Sequence, residues 1–216
     1  SDIKLGRFRL REGGEVGALY ADRRVEKNDE GYIPYNPGQT IATENTTPFK
    51  IGTVNPKWNL GWRHGFNYKG INASVMFTAR IGGNVISKTQ ATLDRFGVSK
   101  ASADAREAGY VMLGNIKMEP QDYYGTIYDL DSYYVYSATN IRLQEASIGY
   151  TLPNKWFGNV VKNVNVSVYG TNLWMIYNKA PYDPELTAST GTFGQGYDYF
   201  MLPSSRTYGF SLKFGF

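Results

Sequence analysis

The sequence contains no cysteine and only one histidine, His64, among its 216 residues. Without cysteine there is no disulfide framework, no thiolate metal site and no cysteine nucleophile. A single histidine argues against a histidine-based metal centre and against a hydrolytic triad. Because no motif brings together an acid, a base and a nucleophile, we expect no catalytic residues, no metal and no cofactor, and we do not expect an enzyme.

Charged residues are also scarce, at 19%, and no apolar run is long enough for a transmembrane helix. The net charge is only +4 and the basic residues are scattered, so nucleic acid is not an expected partner. Residues 1–5 lack the charged start and apolar centre of a signal peptide, which leaves a cytosolic protein or the mature or interior part of a longer chain. Aromatic residues make up 15% of the chain and glycine accounts for 24 residues. This composition is typical of β proteins that contact membranes or sugars.

Alternation of apolar and polar residues with a period of two predicts six β-strands. The predicted ranges are 58–68, 71–82, 140–151, 163–174, 206–216 and, most weakly, 2–10. The Lys69–Gly70 dipeptide between the first two strands predicts a tight hairpin turn, because glycine readily adopts a positive φ. The apolar phase changes within 140–151, which predicts a β-bulge near Gln144–Glu145.

Short and long connections alternate along the chain. The connections at Lys69–Gly70 and Pro153–Lys162 are short, whereas those at 12–57, 83–139 and 175–205 are long, polar and rich in glycine, asparagine, aspartate and tyrosine. Long connections with little structure of their own are uncommon in compact soluble domains, and this alternation is the pattern of an outer-membrane β-barrel. The short turns would then lie in the periplasm and the long loops outside the cell.

Six strands are too few to close a membrane barrel, which needs about 8. An open sheet edge is also costly in lipid, because unpaired backbone groups find no water there. The membrane interpretation therefore predicts that the chain is the C-terminal piece of a larger barrel. The alternative, on periodicity alone, is a soluble β-sandwich such as a carbohydrate-binding module, in which the alternation reflects one buried face.

Several motifs, in the right order, resemble those of SusC/RagA-type TonB-dependent transporters. These motifs are Gly52–Trp58, the hairpin at Phe66–Lys69, Asn140–Pro153, Val166–Trp174, Tyr182–Glu185 and Ser205–Phe216. The resemblance covers about 52–82 and 140–216 well, and the rest of the chain poorly.

The resemblance implies an all-β fold: an antiparallel transmembrane β-barrel segment of about six of 22 strands, with long extracellular loops. The plug domain and the earlier strands would be absent from this chain. It also implies active import of oligosaccharides or peptides across the Gram-negative outer membrane, powered through TonB and assisted by a SusD-like surface lipoprotein. A passive porin or adhesin-type barrel remains as an alternative, because a plug and a TonB box would decide between the two.

Candidate cargo contacts fall in the loop 121–139 and on the predicted lumen face. The loop residues are Tyr123, Tyr124, Tyr128, Tyr133 and Tyr134, accompanied by Asp122, Asp129 and Asp131. Tyrosine rings cover apolar ligand faces and carboxylates accept hydroxyl or amide donors, although the same tyrosines suit loop packing or a protein interface. Arg63 and Arg80 fall on the lumen face, where charges pair with each other or with the plug and sometimes touch cargo.

Two other features concern the end of the chain. By the same resemblance, the last residue, Phe216, is the barrel-assembly signal that the insertion machinery reads. Asp183 and Glu185 could form a catalytic carboxylate pair, but the flanking Pro181 and Pro184 favour a rigid turn.

Overall fold

The computed structural model describes residues 3–5, 8–114, 116–157, 161–186 and 194–215. The strands within these ranges are β1 (Ile3–Leu5), β2 (Phe8–Leu10), β3 (Ala18–Val25), β4 (Thr43–Thr53), β5 (Trp58–Tyr68), β6 (Ile71–Ile81), β7 (Asn84–Ser87), β8 (Val111–Leu113), β9 (Ile116–Met118), β10 (Val135–Ser137), β11 (Asn140–Thr151), β12 (Lys162–Asn178), β13 (Tyr197–Asp198) and β14 (Thr207–Gly215). The helices are α1 (Lys88–Arg95), α2 (Lys100–Ala108) and α3 (Pro120–Ile127), with short 3-10 helices at Asp131–Tyr134 and Asn154–Trp156. Every strand pair except β7 and β13 is antiparallel, which confirms the all-β, antiparallel fold class.

The chain divides into two compact units. The sheet unit comprises 56–82, 138–183 and 202–216, and the helical unit comprises 1–55, 83–137 and 184–201. The sheet unit is one antiparallel sheet in the order β5-β6-β11-β12-β14. Strands that follow one another along the chain within this unit are therefore neighbours in the sheet, as in a barrel wall built from hairpins.

Five of the six predicted strands are confirmed in the sheet unit. The predicted bulge is also confirmed, because the pairing of β11 with both of its neighbours shifts register between Leu143 and Glu145. Strand β12 continues to Asn178, beyond the predicted end at Trp174. The alternation breaks at Asn172, whose φ of +53° marks an irregular strand position that asparagine tolerates better than most residues. The strand continues past this position instead of ending.

The prediction of a sixth barrel strand over 2–10 is wrong. Ile3–Leu5 and Phe8–Leu10 are two short strands that pair with each other, with Ile3 opposite Leu10. They belong to a separate four-stranded sheet in the order β1-β2-β3-β4, so the long sheet has five strands in the described chain. Short segments of this kind cannot span a bilayer, for which about 9–11 residues are needed.

The expectation that the long connections have little structure is also wrong. The first contains β3 and β4, and the second contains all three helices. Serine caps begin two of these helices: Ser87 Oγ accepts from Gln90 N at 3.0 Å and Ser99 Oγ accepts from Ser102 N at 3.1 Å. Gly109 ends α2 with a φ of +76°, a conformation that favours glycine. These caps make short helices stable within a polar, glycine-rich segment.

Three clusters of buried apolar side chains hold the helical unit together. Their members are Val25, Ile41, Leu113, Met118 and Leu130; Ala91, Ala105, Tyr124, Ile127 and Tyr134; and Phe8, Leu19, Val54 and Ile86. Each cluster draws on segments that are far apart in sequence, which gives the unit a core despite its short elements.

The sheet unit has the opposite arrangement, because the apolar face of its long strands is exposed. Trp58 is 64% exposed and Phe210 is 80% exposed, and Trp62, Phe66 and Leu212 are exposed as well. A soluble β-sandwich would bury this face against a second sheet, so the β-sandwich alternative is wrong. In the part of the chain that the structure describes, no helix has the length and apolar character needed to cross a bilayer.

Candidate functional site

The tyrosines predicted to contact cargo lie in the helical unit, and two of them are core residues. Tyr124 is 9% exposed and Tyr134 is 3% exposed. The ring of Tyr123 packs edge-on against that of Tyr124, with 5.1 Å between the centroids, and Tyr133 is exposed. The structure therefore gives Tyr124 and Tyr134 a packing role and leaves Tyr133 accessible to a ligand. Contact with cargo stays a prediction for all of them.

Tyr128 has a different environment, because two cations lie over its ring. Lys88 Nζ is 3.7 Å and Arg95 Cζ is 4.3 Å from the ring centroid. Lys88 Nζ also donates to the Tyr128 carbonyl oxygen at 2.6 Å. Since the ring already makes cation–π contacts within the protein, it holds the two side chains of α1 in place.

Burial perturbs the acid–base behaviour of this tyrosine group. Loss of solvent raises the pKa of Tyr123, Tyr124 and Tyr133, and raises the pKa of Tyr136 to about 12. The pKa of Tyr134 is raised furthest, first by burial and then by the neighbouring Asp94 carboxylate. The hydroxyls are therefore neutral hydrogen-bonding groups at any physiological pH.

The carboxylate of Asp122, a candidate cargo contact in the sequence, is already occupied by the protein. Its Oδ2 accepts from Tyr35 Oη and from Gly38 N, both at 2.9 Å. On the next turn of α3, Thr126 Oγ1 accepts from Ile41 N at 2.9 Å. These bonds fasten the loop before β4 onto α3 through Asp122 and Thr126.

The two arginines predicted on the lumen face do lie on the polar face of the sheet unit. Arg63 Nη2 reaches across β6 to Glu145 Oε1 on β11, at 2.9 Å. Arg80 lies between Asn59 and Asn140 in the register of the three neighbouring strands. The pairing of Arg63 with Glu145 is the arrangement expected of lumen charges that compensate each other.

A buried ion pair on the same unit is not evident from the sequence. Arg142 Nη2 donates to Asp183 Oδ1 at 2.7 Å and Arg142 Nη1 donates to Asp183 Oδ2 at 3.1 Å, and the two side chains are only 5% and 8% exposed. Asn140 Oδ1 and Asn172 Oδ1 accept further bonds from Arg142, at 3.3 and 3.4 Å. Asp183 is thus a structural anion, which removes the remaining reason to consider it part of a catalytic pair with Glu185.

The segment between β12 and Asp183 is held by one asparagine at the end of that strand. Asn178 Nδ2 donates to the carbonyl oxygens of Ala180 and Tyr182, at 2.9 and 2.7 Å, and its Oδ1 accepts from Ala180 N at 3.0 Å. Together with the Arg142–Asp183 pair, these bonds make 179–183 a braced turn. The rigid turn predicted around Pro181 and Pro184 therefore has a specific polar anchor.

The end of the chain and the possible metal ligands remain to be located. Phe216, the predicted assembly signal, lies outside the described residues. Across the described ranges, no group of three or more histidine, cysteine, aspartate or glutamate side chains is arranged to hold a metal ion.

The chain is similar to known proteins in sequence and in fold. No protein-family model matches the sequence. The chain is 27% identical over 230 residues to TonB-dependent receptor P3 of Formosa agariphila, an alignment that covers 95% of the chain and 23% of that protein. This relative is named a receptor, in agreement with the expectation that the protein is not an enzyme.

Two solved structures have a similar fold. The chain superposes on the RagAB peptide importer in its "open-open" state with a TM-score of 0.64 and 18% identity, covering 92% of this chain and 22% of that one. A second structure, of the RagAB peptide transporter, has a TM-score of 0.56 and 19% identity, covering 88% and 22%. The chain spans less than a quarter of the length of each of these proteins. The chain is therefore similar in sequence to a TonB-dependent receptor over 95% of its length, and it has the fold of part of the RagAB structures.

Proposed function

We propose that the protein imports oligosaccharides or peptides across the outer membrane, as part of a SusC-like transporter that is energised through TonB. The sheet unit forms five strands of the barrel wall and the helical unit forms long extracellular connections. The plug domain, the TonB box and the earlier strands belong to the parent protein outside these residues. A SusD-like surface lipoprotein is the proposed partner that delivers cargo.

The observation that carries this proposal is the exposed apolar face of the long strands. Side chains at alternate positions of β5 and β14 are exposed tryptophan, phenylalanine and leucine, while the opposite face carries Arg63, Glu145 and Asn72. In water such a face would aggregate, but in a bilayer it meets acyl chains. The alternation of apolar and polar residues matches a strand with lipid on one side and an aqueous lumen on the other.

The class of cargo is proposed from the names of similar proteins and from the side chains of the helical unit. The solved structures with a similar fold are named peptide importers, and the curated relative is named a TonB-dependent receptor. Exposed tyrosine and paired charges in the helical unit suit either a peptide or a glycan. Peptides and oligosaccharides therefore both belong in the first test.

Uptake by living cells tests the proposal. A strain that lacks the parent gene should lose uptake of at least one fluorescent oligosaccharide or peptide pool, and the full-length gene should restore it. A protonophore should abolish the restored uptake, because TonB transmits energy from the proton gradient. Uptake that survives the protonophore would favour the passive porin alternative, and uptake that never depends on the gene would refute the proposal.

The position of Phe216 gives a second test. If this residue is the assembly signal, deleting it should lower the amount of the parent protein in the outer membrane several-fold, and Phe216→Tyr should retain most of it. Quantitative immunoblots of membrane fractions measure the effect. Equal amounts of the deletion variant and the native protein would exclude this role.

A further inference from the structure

The three helices of the helical unit enclose a cleft. The end of α1, the middle of α2 and the start of α3 border a cavity of about 610 Å³. Arg95, Arg106, Gln121 and Tyr124 are among its lining residues. Its volume lies in the range of about 300–1,000 Å³ that is usual for small-ligand sites.

A second cavity adjoins the first. It measures about 660 Å³, and Arg95 and Gln121 line both cavities. Beyond these shared residues, the second cavity is bordered by Gly38, Gln39, Thr40, Asp122 and Gly125. The two cavities thus offer consecutive subsites, with Arg95 and Gln121 between them, which suits a ligand made of repeated units.

The cleft contains two guanidinium groups that make no ion pair with any described residue. Arg95 contacts the ring of Tyr128, and Arg106 Nη1 donates to the Gly97 carbonyl oxygen at 2.6 Å. Within the described chain, no carboxylate lies within 4.0 Å of either guanidinium group. By contrast, four other arginines have a carboxylate oxygen within 3.2 Å; they are Arg9, Arg24, Arg63 and Arg142.

Both guanidinium groups keep donors available for a ligand. The cation–π contact of Arg95 uses a face of its guanidinium and none of its N–H groups, and the other donors of Arg106 have no partner among the described residues. The planar fork of an arginine matches the two oxygens of a carboxylate. Because the rings and loops around them fix both side chains at the cleft, the site is already shaped for an anion.

Two carboxylates also line the cleft, and their positions differ. Asp94 is buried and accepts from Gln90 Nε2 at 2.7 Å. Glu119 is exposed at the start of α3. A bound anion would therefore be attracted by Arg95 and Arg106 and repelled by Asp94 and Glu119.

We propose that this cleft binds a carboxylate group of the cargo, with Arg95 and Arg106 as its ligands and the adjoining cavity holding the next unit of the chain. The carboxylate comes either from the C-terminus of a peptide or from a uronic acid of a glycan. This inference rests on the proposed import function and specifies the recognition step within it.

Binding to the purified full-length transporter in detergent tests the inference. The probes are a tetra-alanine peptide with a free C-terminus, the same peptide as its C-terminal amide, tri-galacturonate and neutral maltotriose, each measured by isothermal titration calorimetry. We expect at least one of the two carboxylate probes to bind, and to bind more weakly as the potassium chloride concentration rises. The probe that binds identifies the source of the carboxylate.

Charge-neutralising variants give effects in opposite directions. Arg95→Gln or Arg106→Gln should each weaken binding of the carboxylate probe roughly three- to tenfold, the size expected for one partly exposed charge-assisted hydrogen bond. Glu119→Gln should strengthen it about twofold, because it removes a like charge. Lys100→Gln is the matched control on α2, since Lys100 pairs with Asp104 outside the cleft, and its affinity should stay unchanged.

Three results would overturn the inference. The first is equal binding of the free-acid and amide peptides together with no binding of tri-galacturonate. The second is an affinity for the carboxylate probe that is unchanged in the Arg95→Gln/Arg106→Gln double variant. The third is no binding of either carboxylate probe. Gene-dependent, protonophore-sensitive uptake would stand in all three cases, so failure of the cleft and failure of the import function are separable.

Discussion

The buried ion pair between Arg142 and Asp183 makes the sharpest prediction about stability. Asp183→Ala removes both acceptors of a bidentate pair whose side chains are 5% and 8% exposed. The guanidinium group of Arg142 would remain buried without a counter-charge. Because a buried charge loses its hydration without compensation, we expect a large loss of stability of the sheet unit.

The size of the expected loss in the free energy of unfolding depends on which acceptors remain for Arg142. Breaking a buried pair by removing one partner costs about 3–5 kcal/mol. Asn140 Oδ1 and Asn172 Oδ1 continue to accept from Arg142 at 3.3 and 3.4 Å, so part of the polarity is still satisfied. We therefore expect the lower end of this range, about 3 kcal/mol in the free energy of unfolding.

Two assays on the full-length protein in detergent measure the effect. Urea unfolding, followed by tryptophan fluorescence, gives the change in free energy of unfolding. Limited trypsin digestion gives a local measure, because Lys179 lies in the braced turn and is exposed while Ala180 is buried. Cleavage after Lys179 should become faster in Asp183→Ala.

A double variant and a control make the prediction refutable. Arg142→Leu/Asp183→Leu removes both charges and should return to within about 1 kcal/mol of the native protein, since replacing a buried pair by apolar residues is often neutral. Asp104→Ala breaks an exposed pair with Lys100 and should cost at most about 0.5 kcal/mol. If Asp183→Ala costs no more than Asp104→Ala, or the double variant is as unstable as the single one, the pair does not brace the turn.

Three other predictions follow from particular positions. Phe210→Lys should lower the free energy of unfolding by about 2–4 kcal/mol and reduce barrel assembly, because it places a charge on the lipid face. Ser211→Lys, on the opposite face, should assemble normally. Heat-modifiability on gels compares the two variants. Gly196→Ala should destabilise the helical unit, because the residue has a φ of +68° and the new Cβ would overlap Val54 Cγ1; hydrogen exchange of the helical unit measures the loss. Burial raises the pKa of Tyr136 to about 12, so the stability that this tyrosine contributes is complete below its ordinary value of 10.0 and is lost as the pH rises through about 12; tyrosinate absorbance should show it titrating later in the native than in the unfolded protein.

Local patterning was sufficient to locate the long strands of the sheet unit. Alternation alone predicts β5 at 58–68, which are its observed bounds, and the phase change predicts the bulge at Gln144. Period-two alternation is a local property of the chain, so it identifies a strand without its neighbours. It fails over 2–10, because two very short strands leave too few residues to show a period.

The helices carried a readable signal of another kind. Ser87 and Gln90 are spaced as in a capping box, and Gly109 stands where a helix would end. The composition of the connection at 83–139 argued against helices, because this segment is polar and rich in glycine and tyrosine. In such segments the caps are better indicators than the overall composition, since they act on single backbone groups.

The candidate site was predictable only in part. The sequence indicates that tyrosines and charges concentrate in one loop, but not that Tyr124 and Tyr134 pack in a core. Nor does it indicate that Arg95 and Arg106, from two different helices, would line one cleft. Neither arginine stands in a recognisable motif, so nothing in the linear sequence marks them.

The sequence by itself indicated the class of this protein, through alternating strands, unequal connections and motifs that resemble those of SusC/RagA-type transporters. The tertiary structure decided which charges are compensated and which are available. Arg142 pairs with Asp183, which is 41 residues away in the sequence, and Tyr35 bonds to Asp122, which is 87 residues away. Arg95 and Arg106 pair with no carboxylate among the described residues. The physical reason is that the period of a sequence sets the face on which a side chain lies, while its partner depends on how distant segments pack together.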